Sequence, residues 1–467
     1  MQTDFDSIII GAGMSGLAAA IRLQMFDKKV IIFEQHSIPG GLNSFYQRRI
    51  PSTKGINQFD VGLHALTNFA GKGEKGKPLT KLLKQLRLSY DDLSLQEQSY
   101  SLIKFKSEEL KFSNELELFI SEINEKFPQE ADHFQKFLQF INSYDELSLN
   151  AAYIPSREIL KKYFKNPLLI EMILAPLLIY GSAWENDMDF SQFVIMFKSI
   201  YLEGFSRPDG GVRTILNLLE SKYKDLGGEI KYKANIEKII HHADYSDIYL
   251  SKGEKYTTRK IFSSAGLPET LSLVEETPID QNLVGNLSFT ESIYITKDKS
   301  FLNKVDPTII FYNNSDEYSY QKAEDYFDTR SAVICFPDNY DRLNLLGHGT
   351  IRLTNMANFE QFNALDRMNY LAKKKEVSLG AKNILKTLFN DCLPEIIFED
   401  IFSPTTIKRY TKHFDGTVYG SPLKVKNGKT KYKGIYIIGT DQGFLGIVGS
   451  MLSGISIANL YGLMESE

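Results

Sequence analysis

Residues 8–24, IIIGAGMSGLAAAIRLQ, limit the fold more than any other stretch. Phe5, Ile8, Ile9 and Ile10 form a short β-branched and aromatic run ending at Gly11, as a buried parallel strand does. After Gly16, the residues Leu17, Ala20, Ile21, Gln24 and Met25 follow helical spacing with an apolar stripe. A second strand, KKVIIFEQ, closes on Glu34. The glycines Gly11, Gly13 and Gly16 therefore fall between a strand and a helix, with an acid about twenty residues further on. That arrangement places a pyrophosphate at a helix N-terminus and a carboxylate on an adenosine ribose. Glu34 also disfavours a 2′-phosphate. A glycine turn without a ligand leaves this context unexplained, so dinucleotide binding is the expected role.

The 467 residues exceed what one compact core holds, and two or more domains are expected. Hydrophobic residues at 43% and charged residues at 24% describe an ordinary globular chain. A net charge of −4 gives no basic field for nucleic acid. Aromatic content is high, with 31 Phe and 25 Tyr, which either fill a core or line a large apolar pocket. Two cysteines, Cys335 and Cys392, lack CxxC spacing, which argues against a cysteine zinc site or a disulfide scaffold and for a reducing compartment. The seven histidines show no HxxxH spacing, so no metal is expected. With a strand starting at Phe5, no signal peptide is expected. No run of about eighteen apolar residues stands out. The strongest candidate, LLIEMILAPLLIY at 168–180, is interrupted by Glu171 and Pro176. A cytoplasmic protein is expected, with peripheral contact at a membrane surface left open.

The residues after Glu34 separate FAD from NAD. QHSIPGGLNSF (35–45) carries Gly40-Gly41, and NQFDVGLHALTNF (57–69) carries Phe59-Asp60-Val61-Gly62-Leu63-His64. The pair resembles the FAD-dependent superfamily of phytoene desaturases, carotenoid isomerases, retinol saturases and amine oxidases. The resemblance extends to RPDGGVRTILNLLESKYKDLGGEIKYKANIEKII (207–240), KIFSSAGLPETLSLV (260–274) and KGIYIIGTDQGFLGIVGSMLSGISIANLY (433–461). It implies an α/β fold: a Rossmann-like FAD-binding domain of the glutathione reductase type, discontinuous in sequence (1–75, 200–285 and 400–467), with an α+β substrate domain (76–199 and 286–399). It further implies FAD contacts from Gly11, Gly13, Met14, Ser15, Gly16, Glu34, Gln35, Gly40, Gly41, Leu42 and Asn43. Gly62, Leu63 and His64 would lie beside the isoalloxazine and Ile236 near the adenine. Gly439 and Asp441 would hold the ribityl or pyrophosphate part, while Gly446, Ile447 and Val448 lead a helix whose N-terminus favours the anionic pyrimidine edge of reduced flavin.

Within the superfamily, EQHSIPGGLNSF, FDVGLHAL and SPTTIKRYTKHFDGTVYGSP (403–422) look most like the retinol saturase and carotenoid isomerase side, and CFPDNYDRLNLLGHGTIRL (335–353) resembles a substrate-domain strand and loop. Leu42 stands where amine oxidases and many phytoene desaturases carry a basic residue. The expected activity is redox or isomerisation chemistry at carbon–carbon double bonds of an apolar polyene, carotenoid, retinoid or other isoprenoid. An amine or amino-acid oxidase and a non-catalytic flavin-binding lipid carrier are the alternatives. Helical aromatic stripes at Leu116, Phe119, Ile120, Ile123 and Phe127, at Phe134, Phe137, Leu138 and Ile141, and at Phe190, Phe193, Val194, Phe197, Ile200 and Tyr201 read as helix packing or as a lipid tunnel. NFAGKGEKGKPLT (68–80) reads as a flexible exit from the first domain.

For acid–base work the candidates are His64, beside the flavin, and the carboxylates Glu185 and Glu203. Their competing roles are packing for His64 and a solvated loop for the acids. Asp189 reads as a cap for the helix beginning near Phe190.

Overall fold

The computed structural model describes residues 3–53, 56–149, 151–275, 278–340 and 347–464. Strand Phe5–Ile10 pairs in parallel with Val30–Glu34 on one side and with Lys255–Ser263 on the other. Val30–Glu34 pairs onward with Glu229–Tyr232, and Ile435–Ile437 joins the far side of Lys255–Ser263, both in parallel. An antiparallel extension, Ile236–His241 and Ser246–Leu250, completes this seven-stranded sheet. Its strands come from three stretches far apart in sequence. The central strand reads as apolar because both faces are covered: Ile8 and Ile9 are fully buried.

Helices Met14–Gln24, Val212–Asp225 and Gly446–Ile457 share one core with the sheet. Met14–Gln24 brings the fully buried Ala18, Ala19 and Ala20 to the contact. Gly446–Ile457 crosses it so closely that a Cβ on Gly454 would overlap the Ser15 carbonyl. The longer run Gly446–Met464, 19 residues with mean hydropathy 1.5, is long and apolar enough to cross a membrane by length and composition alone. Its glycines and serines hide it from a search for an unbroken apolar run. In this fold 56% of its most apolar window is buried, against the Met14–Gln24 helix.

A second seven-stranded sheet runs in the order Ile396–Phe402, Ser288–Thr296, Thr350–Ala357, Ser331–Cys335, Ile309–Asn313, Ser101–Lys104, Glu109–Phe112. All its pairings are antiparallel except that of Ile309–Asn313 with Ser101–Lys104. Of the segment 335–353, residues 341–346 lie outside the described residues; strands Ser331–Cys335 and Thr350–Ala357 flank it.

The aromatic stripes resolve into packing. Phe119, Phe134, Phe137, Phe193 and Phe197 are fully buried in one core, and the Phe119 and Tyr201 rings stack at 4.4 Å. Residues 168–180 fall in the helix Pro167–Gly181, almost all of it buried, and only its end, at Ile179 and Tyr180, reaches a cavity.

Candidate active site

The first strand ends at Gly11, whose φ of +90° suits glycine. A Cβ there would stand 2.5 Å from Ser264 Oγ, and one on Gly16 would overlap the Gly11 carbonyl. Only glycine lets the strand turn straight into the helix. Gly13 is the N-cap and supplies no side chain, so the first-turn N–H groups and the positive end of the helix are left for an anion. Met14 and Ser15 line a cleft of about 280 Å³ beside it.

Glu34, 5% exposed, closes the far end of that cleft. Its Oε2 accepts from the Ala12 N–H and its Oε1 from the His36 N–H, both at 2.8 Å. Two backbone donors thus fix the carboxylate, and each oxygen keeps acceptor capacity for a hydroxyl. Gln35, Gly40, Gly41, Leu42, Asn43, Ile236 and Gly439 also line this cleft. Gly41 has φ +57°, and a Cβ built on it meets nothing within 4 Å, so the backbone is open to whatever fills the space.

Opposite the glycines, Asp441 is engaged by the protein itself. It accepts from the Leu267 N–H (2.6 Å), the Ser421 N–H (2.9 Å) and the Lys424 ammonium (3.2 Å). Asp441 lines the cleft, and these bonds tie three chain segments into its wall. Burial lowers the Lys424 pKa, with Asp441 opposing. His413, another wall residue, sits with Nδ1 3.4 Å from Glu269 Oε1. Burial works against its charged form, but Glu269 outweighs it and raises the His413 pKa.

A second cleft, about 200 Å³, shares Leu42, Asn43, Val418, Thr440 and Ser450 with the first. The two clefts adjoin along these five residues. The walls of the second include Ile179, Tyr180, Phe289, Val333, Leu445 and Ile447, and the uncapped helix Gly446–Ile457 begins here. Gly62 lets the 61–64 segment pack on the double-glycine turn: a Cβ on it would come 2.5 Å from the Leu42 carbonyl.

One corner of this apolar cleft is polar. His64 Nε2 lies 3.1 Å from Glu291 Oε1 and 3.2 Å from Thr354 Oγ1. Thr354 donates a short bond to Glu291 Oε2. Arg352 donates from Nε to Glu291 Oε1 (2.7 Å), from Nη1 to the Leu63 carbonyl (2.8 Å) and from Nη2 to the Val61 carbonyl (2.6 Å). Arg207 bonds the Leu63 carbonyl as well and pairs with Asp60. Burial pushes Glu291 up, but Arg352, His64 and Thr354 outweigh it and bring the carboxyl to about 2.

Of the sequence expectations, Gly62, His64, Gly446 and Ile447 line the second cleft, while Gly16, Leu63 and Val448 sit behind the walls as packing. Glu185 lies on an exposed loop, accepting from Asn286 and the Lys322 N–H. Glu203 is half-buried and bonded to Asn68. Neither acid lines either cleft: each is held by its own partners, Asn286 and the Lys322 N–H for Glu185 and Asn68 for Glu203. Asp189 occupies the expected N-cap position, yet its carboxylate turns to the Ile154 N–H and the Lys426 ammonium. Among the described residues no cluster of potential metal ligands occurs. Glu291, Thr354, Arg352 and Lys424 escaped the sequence reading; a charged residue inside an apolar strand, as in SFTESIYIT or TIRLTNMA, is the signal that could have found Glu291 and Arg352.

Residues 9–86 match the family model of an NAD(P)-binding Rossmann-like domain. Over 97% of this chain, prolycopene isomerase of Arabidopsis thaliana is 25% identical, with 82% of that protein covered. A lycopene-forming phytoene desaturase of Pseudescherichia vulneris is 24% identical over 62% of each chain. An all-trans-retinol 13,14-reductase of Danio rerio is 33% identical over 19% of this chain and 14% of its own. The homologues are thus carotenoid isomerases, carotenoid desaturases and retinol reductases, all enzymes, in agreement with the resemblance read from the motifs. Among solved structures, an oxidoreductase from Methanosarcina mazei superposes with a TM-score of 0.66 at 16% identity over 97% of this chain and 99% of that one. A putrescine oxidase does so at 0.61 and 12%, over 99% of both. These two likenesses establish the fold, a Rossmann-like dinucleotide-binding unit joined to a second sheet.

Proposed function

We propose that this chain is an FAD-dependent oxidoreductase acting on carbon–carbon double bonds of an apolar polyene or isoprenoid, by saturation, desaturation or cis/trans isomerisation. The observation that carries the proposal is the adjacency of the two clefts: a dinucleotide cradle and an apolar cavity share the wall residues Leu42, Asn43, Val418, Thr440 and Ser450. The homologues supply the substrate class, since they act on carotenoids and retinoids.

FAD fits the first cleft on three counts. The open space at Gly41 admits a ligand against backbone, the uncapped first turn at Met14 and Ser15 receives a pyrophosphate, and the doubly fixed Glu34 carboxylate receives a ribose diol. Ile236 would border the adenine, and the N-terminus of Gly446–Ile457 would face the pyrimidine edge of the flavin. We assign 1–75, 200–285 and 400–467 to the FAD-binding domain and the remainder to the substrate domain, except that the whole strand Ile396–Phe402, paired at the edge of the second sheet, goes with the substrate domain. Bound FAD supplies two-electron redox chemistry; the chain's own residues bind, orient and exclude water.

The walls suit a hydrocarbon. Each methylene buried there contributes about 0.8 kcal/mol. An amine is less well served, because Glu291, the one carboxylate in the cleft wall, is already neutralised by Arg352. A peripheral membrane contact is part of the same reading: Leu147, Leu149, Tyr153 and Leu423 are all more than 40% exposed. The loops carrying them are joined by Tyr153, which donates to the Lys424 carbonyl. The reading is tested by incubating FAD-loaded protein anaerobically with carotenoids and retinoids and analysing products: altered double bonds support it, and peroxide release from amines without polyene conversion contradicts it.

A further inference from the structure

We propose that His64 is the proton-exchanging side chain of the apolar cleft and that Glu291 is the positioning residue that decides which of its ring nitrogens is bare. The proposal rests on the redox reading above and assigns the proton half of that reaction.

The geometry sets the tautomer. Glu291, when ionised, only accepts, so the ring hydrogen of His64 must sit on Nε2, 3.1 Å from Oε1. Thr354 spends its own hydrogen on Glu291 Oε2 and reinforces the arrangement. A neutral imidazole protonated at Nε2 leaves a lone pair on Nδ1, and among the described residues no hydrogen bond fills it. His64 is itself a wall of the cleft in which apolar carbons would lie. Arg352 fixes the backbone carbonyls of Val61 and Leu63, just before His64 in the chain, and so restrains the segment that carries the ring.

Charge balance keeps that base neutral. Arg352 already satisfies the Glu291 carboxylate, so the imidazole need not ionise beside it. Burial lowers the His64 pKa, Glu291 opposes, and Arg352 and Arg207 add to the lowering. Tyr180 and Cys335, the neighbouring hydroxyl and thiol, stay protonated near neutrality. Burial holds the Tyr180 hydroxyl well above its usual range. The Cys335 thiol, 3.6 Å from the His64 carbonyl, is pushed by burial to about 12.

Converting CH–CH to C=C removes two hydrogens and two electrons. In this direction Nδ1 forms an N–H bond as one C–H bond breaks, and that bonding pair becomes the new π bond. The second hydrogen leaves with its pair to a two-electron acceptor, a flavin in the reading above. Saturation reverses both transfers. A neutral base at pH 7 suits removal of the proton, so the forward limb rises with pH through a midpoint below 6.5 and then levels.

The test uses full-length protein labelled with ¹⁵N-histidine, with the His64 signals identified by their loss in His64→Gln. At pH 7 an unprotonated Nδ1 and a protonated Nε2 are expected; a protonated Nδ1 overturns the proposal. This readout needs no turnover, so it stands or falls apart from the FAD assignment. With polyene substrate in D₂O, His64→Gln is expected to lower deuterium exchange at the reacting carbon about 10²-fold or more while flavin content is unchanged. Glu291→Gln is expected to move the pH limb to lower pH and Glu291→Asp to restore it partly. Exchange and pH profile that are unaltered in His64→Gln overturn the proposal.

Discussion

Lys424 Nζ lies 3.2 Å from Asp441 Oδ1, and both side chains are only 1% exposed. The ammonium also donates to the Tyr419 carbonyl at 2.5 Å, tying the 419–424 turn to the loop that enters the last helix. Breaking such a pair leaves one charge buried without compensation, a loss of about 3–5 kcal/mol. Lys424→Met is therefore expected to destabilise the fold by that amount in urea unfolding, whereas Lys424→Met combined with Asp441→Asn should recover part of it. Equal loss in the single and double variants would show that the pair contributes through packing alone.

Gly41 and Gly73 both have positive φ, and a Cβ on either meets nothing within 4 Å. Alanine at both positions carries a similar backbone strain, about 1–2 kcal/mol. Only Gly41 lines the dinucleotide cleft. Gly41→Ala is expected to weaken FAD binding at least tenfold with Gly73→Ala unaffected, measured by flavin fluorescence titration. Equal affinities in the two variants would remove the cofactor from this wall.

Glu34 holds two backbone N–H groups and would add hydrogen bonds to a ribose diol. Hydrogen bonds to a charged group contribute about 1.5–3 kcal/mol each. Glu34→Gln should raise the FAD Kd by roughly ten- to a hundredfold, read by calorimetry.

His413 titrates above its usual 6.5 because Glu269 favours its charged form. The stability this supplies is fully present below the unfolded-state pKa and is lost as pH rises through the raised folded midpoint. The difference in unfolding free energy between the wild type and His413→Gln should therefore shrink on going from pH 6 to pH 9. A difference that grows with pH would reverse the assigned direction.

The cradle was legible because its parts are local. Gly11, Gly13, Gly16 and Glu34 lie within one strand–helix–strand unit, and each has a steric or hydrogen-bonding reason at that spacing. The polar corner was not, because it is made by strand register. Glu291 stands opposite Thr354, and Ile293 opposite Arg352, in the antiparallel pairing of two strands some sixty residues apart. No local pattern encodes that register. The aromatic stripes carried their helices correctly but not their surroundings: periodicity names the buried face of Leu116–Lys126 or Phe190–Phe197, and whether that face meets a core or a cavity depends on what packs against it. Asp441 was identified as important from its place beside Gly439, yet its partners, Lys424, Ser421 and Leu267, come from segments up to 174 residues away.

The most direct test of an FAD site adjoining a polyene cavity is the visible spectrum of purified protein, followed without oxygen as a polyene is added. A flavin spectrum is expected, bleached by a saturated or partly saturated substrate or, after chemical reduction, restored by an unsaturated one, with the same response abolished when the cavity wall is filled by Phe289→Trp. Protein that stays colourless after FAD is supplied, or flavin that answers to amines and not to any polyene, would contradict the account.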